Sequence, residues 1–500
     1  MASKDIYIIS IGRILIAVTG VVAIRLLTTF LSPAEVGRMN IILAVCGWMN
    51  LVVMNPLCLY VSRKLVDWNI SGTAARHLFG WLKSVLAVSL LSLLVAFVLN
   101  PYLGIGLSYG WLVLLIGSYV AFTYMFSSIG FINILKRRFW FVLLNNLGLW
   151  IGLVLSVVLV LHFGRTAQLW LLGQIIGFAV ISLVGVIVLF RIINKDKQPR
   201  IAEDSFSAGV LFQFIWPLSI VAFLFWCQSQ GYRFIFQRMS GLDTLGLFVV
   251  GFGIGSSIML AFDAVFNQYY HPIFYNEIAN APKQQRAFAW NKYISVFLPA
   301  VILMAIYIAS NGNFLTKVLT GDRFHGIGFI VSCGAIAEGL RMIVTAVSMV
   351  SHSELEMRPL IFPSIIGTFS TLAGIMIFVS YNAFVGAGLS IVFGWLVNLF
   401  FLYSNMKKLL LIKFPYKRVS YAFLFSLPLL LAMVALRGFI SSLTVPAGLV
   451  FLAVTGVYML IGQFLFARKW LYLPVKLKII DDIEAKINSV HNKIYGTMQN

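Results

Sequence analysis

Acidic side chains are scarce in this chain: 16 Asp and Glu among 500 residues, against 37 Lys and Arg. Charged residues of both signs make up only 11%, while 60% are hydrophobic, far outside the usage of soluble domains. Four cysteines (Cys46, Cys58, Cys227, Cys333) all fall inside apolar runs, which excludes a disulfide framework or a zinc site and marks them as small core residues. No GxxxxGK[ST] loop is present, so ATP is not the expected direct energy source. No HExxH, nucleophile elbow or cluster of acids in a sizeable loop appears either. No cofactor and no metal is expected, and no catalytic residue. A membrane glycosyltransferase or polymerase acting on lipid-linked sugars is the enzyme rival. It would need a carboxylate or base with room for an acceptor, and the longest loop on the sparsely charged side, Gly312 to His325, cannot form a domain.

What the chain has instead is long apolar runs. Stretches of about 20 residues, enough to cross the hydrocarbon, fall near 6–31, 38–61, 78–99, 109–133, 141–161, 168–190, 207–230, 242–266, 293–311, 326–350, 360–380, 383–405, 421–438 and 446–466. The expected fold is therefore an all-α polytopic membrane protein with about 14 transmembrane helices. The first run, beginning at Ile6, is of helix length and continues into a second, unlike a cleavable signal. The turn at Tyr381-Asn382-Ala383 is the weakest division.

Basic residues alternate between the loops. Twenty-six of the 37 fall in one set, including Arg63, Lys136, Arg137, Arg138, Arg286 and Lys407, and six in the opposite set. By the positive-inside rule both termini are cytoplasmic. The net charge of +21 is then topological, and nucleic acid is not an expected partner.

A short pattern occurs twice. Arg25, Ser32, Glu35 and Gly37 are matched by Arg233, Ser240, Asp243 and Gly246, offset by 208 for the first three and 209 at the glycine. Arg76, Trp81 and Lys83 are echoed by Arg286, Trp290 and Lys292 at offsets of 209–210. Two related halves are implied. The expected divisions are an N-terminal six-helix lobe (1–190), a polar linker (191–206), a C-terminal six-helix lobe (207–405), two further helices (406–466) and an amphipathic cytoplasmic tail (467–500). That tail spaces Leu477, Ile480, Ile483 and Ile487 for one helix face, suited to lie on membrane lipids or to dock a partner protein. Ser32 with Glu35, and Ser240 with Asp243, fit helix starts in which the acid caps the first turn.

Ionisable residues inside spans carry the functional information, since each costs about 2.5–3.5 kcal/mol at the bilayer centre. Lys83, Asp263 and His271 lie near span ends, where Lys83 can snorkel. Arg13 and Arg25 reach an interface or face a wet cavity. Glu338 and Arg341, three apart on one helix face, form either a self-neutralising packing pair or a cavity-lining pair that binds charge. The candidate cavity residues are Arg13, Arg25, Arg233, Arg238 and Arg341, with Arg25, Arg233 and Arg341 leading; Glu338 and Asp263 are the candidates for ion coupling. Guanidinium suits bidentate recognition of phosphate, so the inferred cargo is anionic.

The opening, from Arg13 through Arg25-Leu-Leu-Thr-Thr-Phe-Leu-Ser-Pro-Ala-Glu-Val-Gly37 to Asn55-Pro56 and Ser62-Arg63, resembles the first two helices of O-antigen-type polysaccharide flippases. These belong to the multidrug/oligosaccharidyl-lipid/polysaccharide exporter superfamily. The resemblance implies two pseudo-symmetric six-helix lobes around a central cavity, alternating access and no enzymatic activity. It implies an undecaprenyl-pyrophosphate-linked oligosaccharide as cargo, moved from the cytoplasmic to the periplasmic leaflet of the bacterial inner membrane. Coupling to H+ or Na+ and contact with other polysaccharide-assembly proteins follow from the same likeness. A peptidoglycan-precursor flippase and a drug/cation antiporter are the rival readings. The first helix has no acid beyond Asp5, which argues against drug export.

Overall fold

A computed structural model describes residues 3–195, 208–278, 281–354, 356–435 and 445–467. Among them every regular element is helical. In hydrocarbon each backbone N–H and C=O must find its partner within the segment, and the apolar runs satisfy this as helices. They are α1 (Ser3–Phe30), α2 (Pro33–Ile70), α3 (Ala74–Leu103), α4 (Tyr109–Ile134), α5 (Arg138–Phe163) and α6 (Ala167–Lys195). After these come α7 (Ala208–Trp226), α8 (Tyr232–Ile278), α9 (Lys283–Ser310), the short α10 (Gly312–Leu319) and α11 (Gly328–Glu354). The series closes with α12 (Ile361–Phe378), α13 (Ala383–Leu409), α14 (Tyr416–Ala435) and α15 (Val445–Ala467).

Among the described residues, twelve helical stretches are long and apolar enough to cross a bilayer. One of them, Leu218–Asn267, has 50 residues. At 1.5 Å per residue that is about 75 Å, more than twice the hydrocarbon thickness. It is broken at Gly241 (φ 83°, ψ 173°), in a region that essentially only glycine occupies, and so makes two crossings. With α14, whose first turn carries Lys417 and Arg418, each of the fourteen expected spans is helical over most of its described residues. The weak division near Tyr381 holds: α12 ends at Phe378, and Asn382 caps α13 by accepting the Val385 N–H at 3.1 Å. Most of the expected linker, and the amphipathic tail beyond Ala467, lie outside the described residues; Arg191 to Lys195 continue α6.

Helices pair both within residues 3–195 and 208–467 and across them. α5 packs along α6 and against α1, and α3 and α6 pack against α4. In the second half α8, α9 and α13 pack against α11, and α12 against α13. α14 and α15 pack on α9.

The halves meet most closely where α2 crosses α8, and there the two repeated motifs touch each other. A Cβ on Gly37 would lie 2.1 Å from the Leu242 carbonyl oxygen, and one on Gly246 would lie 1.8 Å from that of Pro33. Only glycine on both sides lets the two backbones approach this closely. The first motif also caps α2, with Pro33 in the first turn and Ser32 Oγ accepting the Glu35 N–H at 3.4 Å. The Glu35 carboxylate does not turn back to close a capping box. It accepts the first-turn N–H of α6 at Ala167 (2.7 Å) and pairs with Arg38, whose Nε donates to Ile105 O at 2.7 Å. Glu35 thereby ties the starts of α2 and α6 together.

Gly246→Ala is expected to destabilise the protein by about 1–3 kcal/mol, because both facing atoms are backbone and cannot rotate away. SDS-induced unfolding of the purified chain measures this; an unchanged midpoint contradicts the crossing.

Candidate functional site

The crossing is one end of a polar seam between the halves. Ser219 Oγ donates to Val52 O at 2.7 Å, Trp226 Nε1 to Ala44 O at 2.9 Å, and Arg233 Nη1 to Asn40 O at 3.5 Å. The donors stand seven residues apart, and their acceptors all lie on α2. Val52 O is available because its usual donor four residues on is Pro56, which has no N–H, and the backbone around it relaxes into a π turn at Met49–Met54. A second π turn, Cys227–Gly231, sits in the donor helix beside Trp226. Arg25 on α1 donates to the Thr320 carbonyl, and Thr28 Oγ1 accepts the Gly321 N–H at 2.9 Å, which anchors α1 to the turn before α11. Gln237 reaches the Gly104 carbonyl at 3.3 Å. The glycine crossing and the Arg25, Arg233 and Gln237 contacts lie toward the helix ends away from the basic loops, and the Ser219–Val52 bond lies near mid-helix.

At the basic end the halves part. A cavity of about 550 Å³ opens between α1, α4, α5 and α8, lined by Arg13, Asn133, Arg138, Asn145, Asn146, Asn267 and His271 with a few apolar residues. Among the described residues no carboxylate lines it. Arg138 Nη1 donates to the Asn133 carbonyl at 2.9 Å and also to its side-chain oxygen, so this guanidinium is fixed in direction. Asn146 Nδ2 donates to Val142 O at 2.8 Å, and its buried Oδ1 has no partner. Two guanidiniums with no carboxylate among the described lining residues, set among carboxamides, have the chemistry to bind an anion bearing hydroxyl or amide groups.

Beside the cavity stands a charge group. Arg341 Nε donates to Glu338 Oε1 at 2.7 Å, and Arg341 Nη2 lies 3.9 Å from Asp263 Oδ2. Asp263 Oδ1 accepts from Asn267 Nδ2 at 2.6 Å, and Asn267 Oδ1 accepts from the Tyr293 hydroxyl at 3.0 Å. Two carboxylates and one guanidinium leave one formal negative charge, with Asp263 the less closely paired acid.

The sequence-predicted arginines are therefore not gathered at one place. Arg13 lines the cavity; Arg25 and Arg233 hold the seam; Arg238 is exposed toward the seam's end; Arg341 is engaged by Glu338. The structure does bring Asp263 of α8 to the Glu338–Arg341 pair of α11, 75 and 78 residues further along the sequence. Sequence reasoning missed Arg138, counted there only as a loop charge, and the asparagines. The adjacent Asn145 and Asn146 inside an apolar run were the available signal.

Arg341→Met is expected to cost about 3–5 kcal/mol by stranding Glu338, and adding Glu338→Gln should restore much of it. A double variant no more stable than Arg341→Met under SDS unfolding contradicts the pairing.

No family model matches the sequence, and no curated protein matches it. Solved structures do. The lipid II flippase MurJ in an inward closed conformation superposes with a TM-score of 0.68 at 14% identity, covering 93% of this chain and 99% of that one. A multidrug resistance MATE family transporter of the MOP superfamily matches in its outward-facing conformation (TM-score 0.56, 14% identity, 84% of this chain and 96% of that one). An inward-facing MATE structure gives a TM-score of 0.54 at 15% identity, over 81% of this chain and 98% of that one. The chain has the multi-pass helical fold that these flippase and transporter structures share.

Proposed function

We propose that this protein is a flippase that moves an undecaprenyl-pyrophosphate-linked oligosaccharide, of O-antigen or similar repeat-unit type, by alternating access. The observation that carries the reading is the cavity: Arg13 and Arg138 without a lining carboxylate, surrounded by four asparagines. Guanidinium matches the pyrophosphate, and carboxamides match sugar hydroxyls and acetamido groups. A cationic drug would meet like charge there. The excess of basic loops on the cavity side makes that side cytoplasmic in a bacterial inner membrane and the sealed side periplasmic.

Transport then proceeds by parting the seam while the basic end closes. Arg25, Arg233 and Arg238 meet the pyrophosphate after the seam opens, when the carbonyls of Thr320 and Asn40 no longer occupy the first two. Glu338 and Asp263, in excess over Arg341, take up the coupling cation, H+ or Na+. A lipid II flippase shares this fold and every step of this scheme, and differs in the sugar.

The test uses the full chain in proteoliposomes with a fluorescent undecaprenyl-pyrophosphate oligosaccharide, scored for loss of access to an added glycosidase. Transfer between leaflets is expected. Arg13→Ala and Arg138→Ala should each cut the rate roughly tenfold or more, as removal of a charge-assisted contact implies. Ethidium movement without lipid movement would favour the antiporter and overturn the reading.

A further inference from the structure

One side chain belongs to both the cavity and the charge group. Asn267 lines the cavity, and its Nδ2 donates to Asp263 Oδ1 at 2.6 Å. A carboxamide offers two N–H donors and two acceptor lone pairs. Asp263 takes one donor, and the Tyr293 hydroxyl takes one lone pair. That leaves a donor and a lone pair for the cavity, on a group whose other half is bonded to the more weakly paired acid of the triad.

We propose that Asn267 is the positioning residue that couples cargo in the cavity to the charge group of Asp263, Arg341 and Glu338. The proposal rests on the reading of the cavity as the cargo site. When a cation neutralises Asp263, the carboxylate loses its hold on Nδ2, and the carboxamide turns both donors toward the anionic head group. Cation and cargo therefore bind with positive cooperativity. By linkage each tightens the other by the same factor. Tyr293 holds Asn267 from the opposite side and sets the direction in which the carboxamide turns. The charged and titratable groups facing Asp263 are Arg341 and Glu338 of α11, Tyr293 of α9 and His271 of α8 itself. Arg341 is bonded to Glu338 at 2.7 Å, and the proposed change is that of the Asp263–Asn267 bond alone.

The experiment measures binding of undecaprenyl pyrophosphate to the full-length chain in nanodiscs, with and without sodium and at two pH values. For the natural chain, sodium or protons should tighten binding by roughly 5- to 150-fold, the usual span of coupling between two sites. Asn267→Ala should bind the probe but lose most of that shift. Tyr293→Phe, which keeps the ring and its packing, should reduce the shift with no loss of folded protein. An undiminished shift in Asn267→Ala, or a natural chain that binds the probe with no shift, overturns the coupling and leaves the cavity reading standing. A natural chain that does not bind the probe overturns both.

Discussion

Two glycines decide how this molecule closes. Gly37 and Gly246 let α2 and α8 cross backbone to backbone, with no side chain between them. In a bilayer the lipid is as apolar as leucine, so burying leucine between helices gains little; close backbone approach and interhelical hydrogen bonds must supply the attraction. The seam below the crossing uses this logic, with Ser219, Trp226 and Arg233 donating to carbonyls of α2. Each bond is to a carbonyl and demands no particular side chain of α2. Such an interface can separate without leaving an unmatched apolar surface behind.

The closed seam and the open cavity share two helices: α1 carries Arg25 and Arg13, and α8 carries Arg233 and Asn267. Helices held together at one end and apart at the other leave a wedge, and the residues that line the wedge decide what enters it. Here they are Arg13, Arg138 and carboxamides, while the acids near that end, Asp263 and Glu338, stand behind Arg341. Arg341 offsets one of these two acids, and the other, Asp263, meets the cavity only through the carboxamide of Asn267.

Much of this was legible in the sequence, though not in its final arrangement. The fourteen spans follow from apolar length, because the bilayer permits little else. The repeat around Arg25 and Arg233 exposed the two halves, but a repeat cannot say that its copies pack against each other. The glycine ending each motif was the clue, since a small residue at a helix start is spare unless something comes close. The second copy departs from the first: where the first has Pro33 opening its helix, the second has Gly241 at positive φ. Site residues were harder. Arg25 and Arg341 drew attention as charges in apolar runs, and they are satisfied by a carbonyl and a carboxylate. Arg138 and Asn267 escaped because one sat in a basic loop and the other carries no charge. Their roles depend on three-dimensional neighbours from other helices, which spacing along one helix does not reveal.

The central claim is that the halves are joined away from the basic loops and open a cargo cavity toward them. The most direct measurement is the accessibility of a cysteine placed at Asn145, using a membrane-impermeant maleimide on vesicles of each orientation. The four native cysteines are unpaired, and Cys46 and Cys333 are buried, so each is replaced by serine or alanine first. The account predicts labelling from the side of the basic loops, with protection by undecaprenyl pyrophosphate. Labelling only from the opposite side, or labelling that the lipid leaves unchanged, would contradict it.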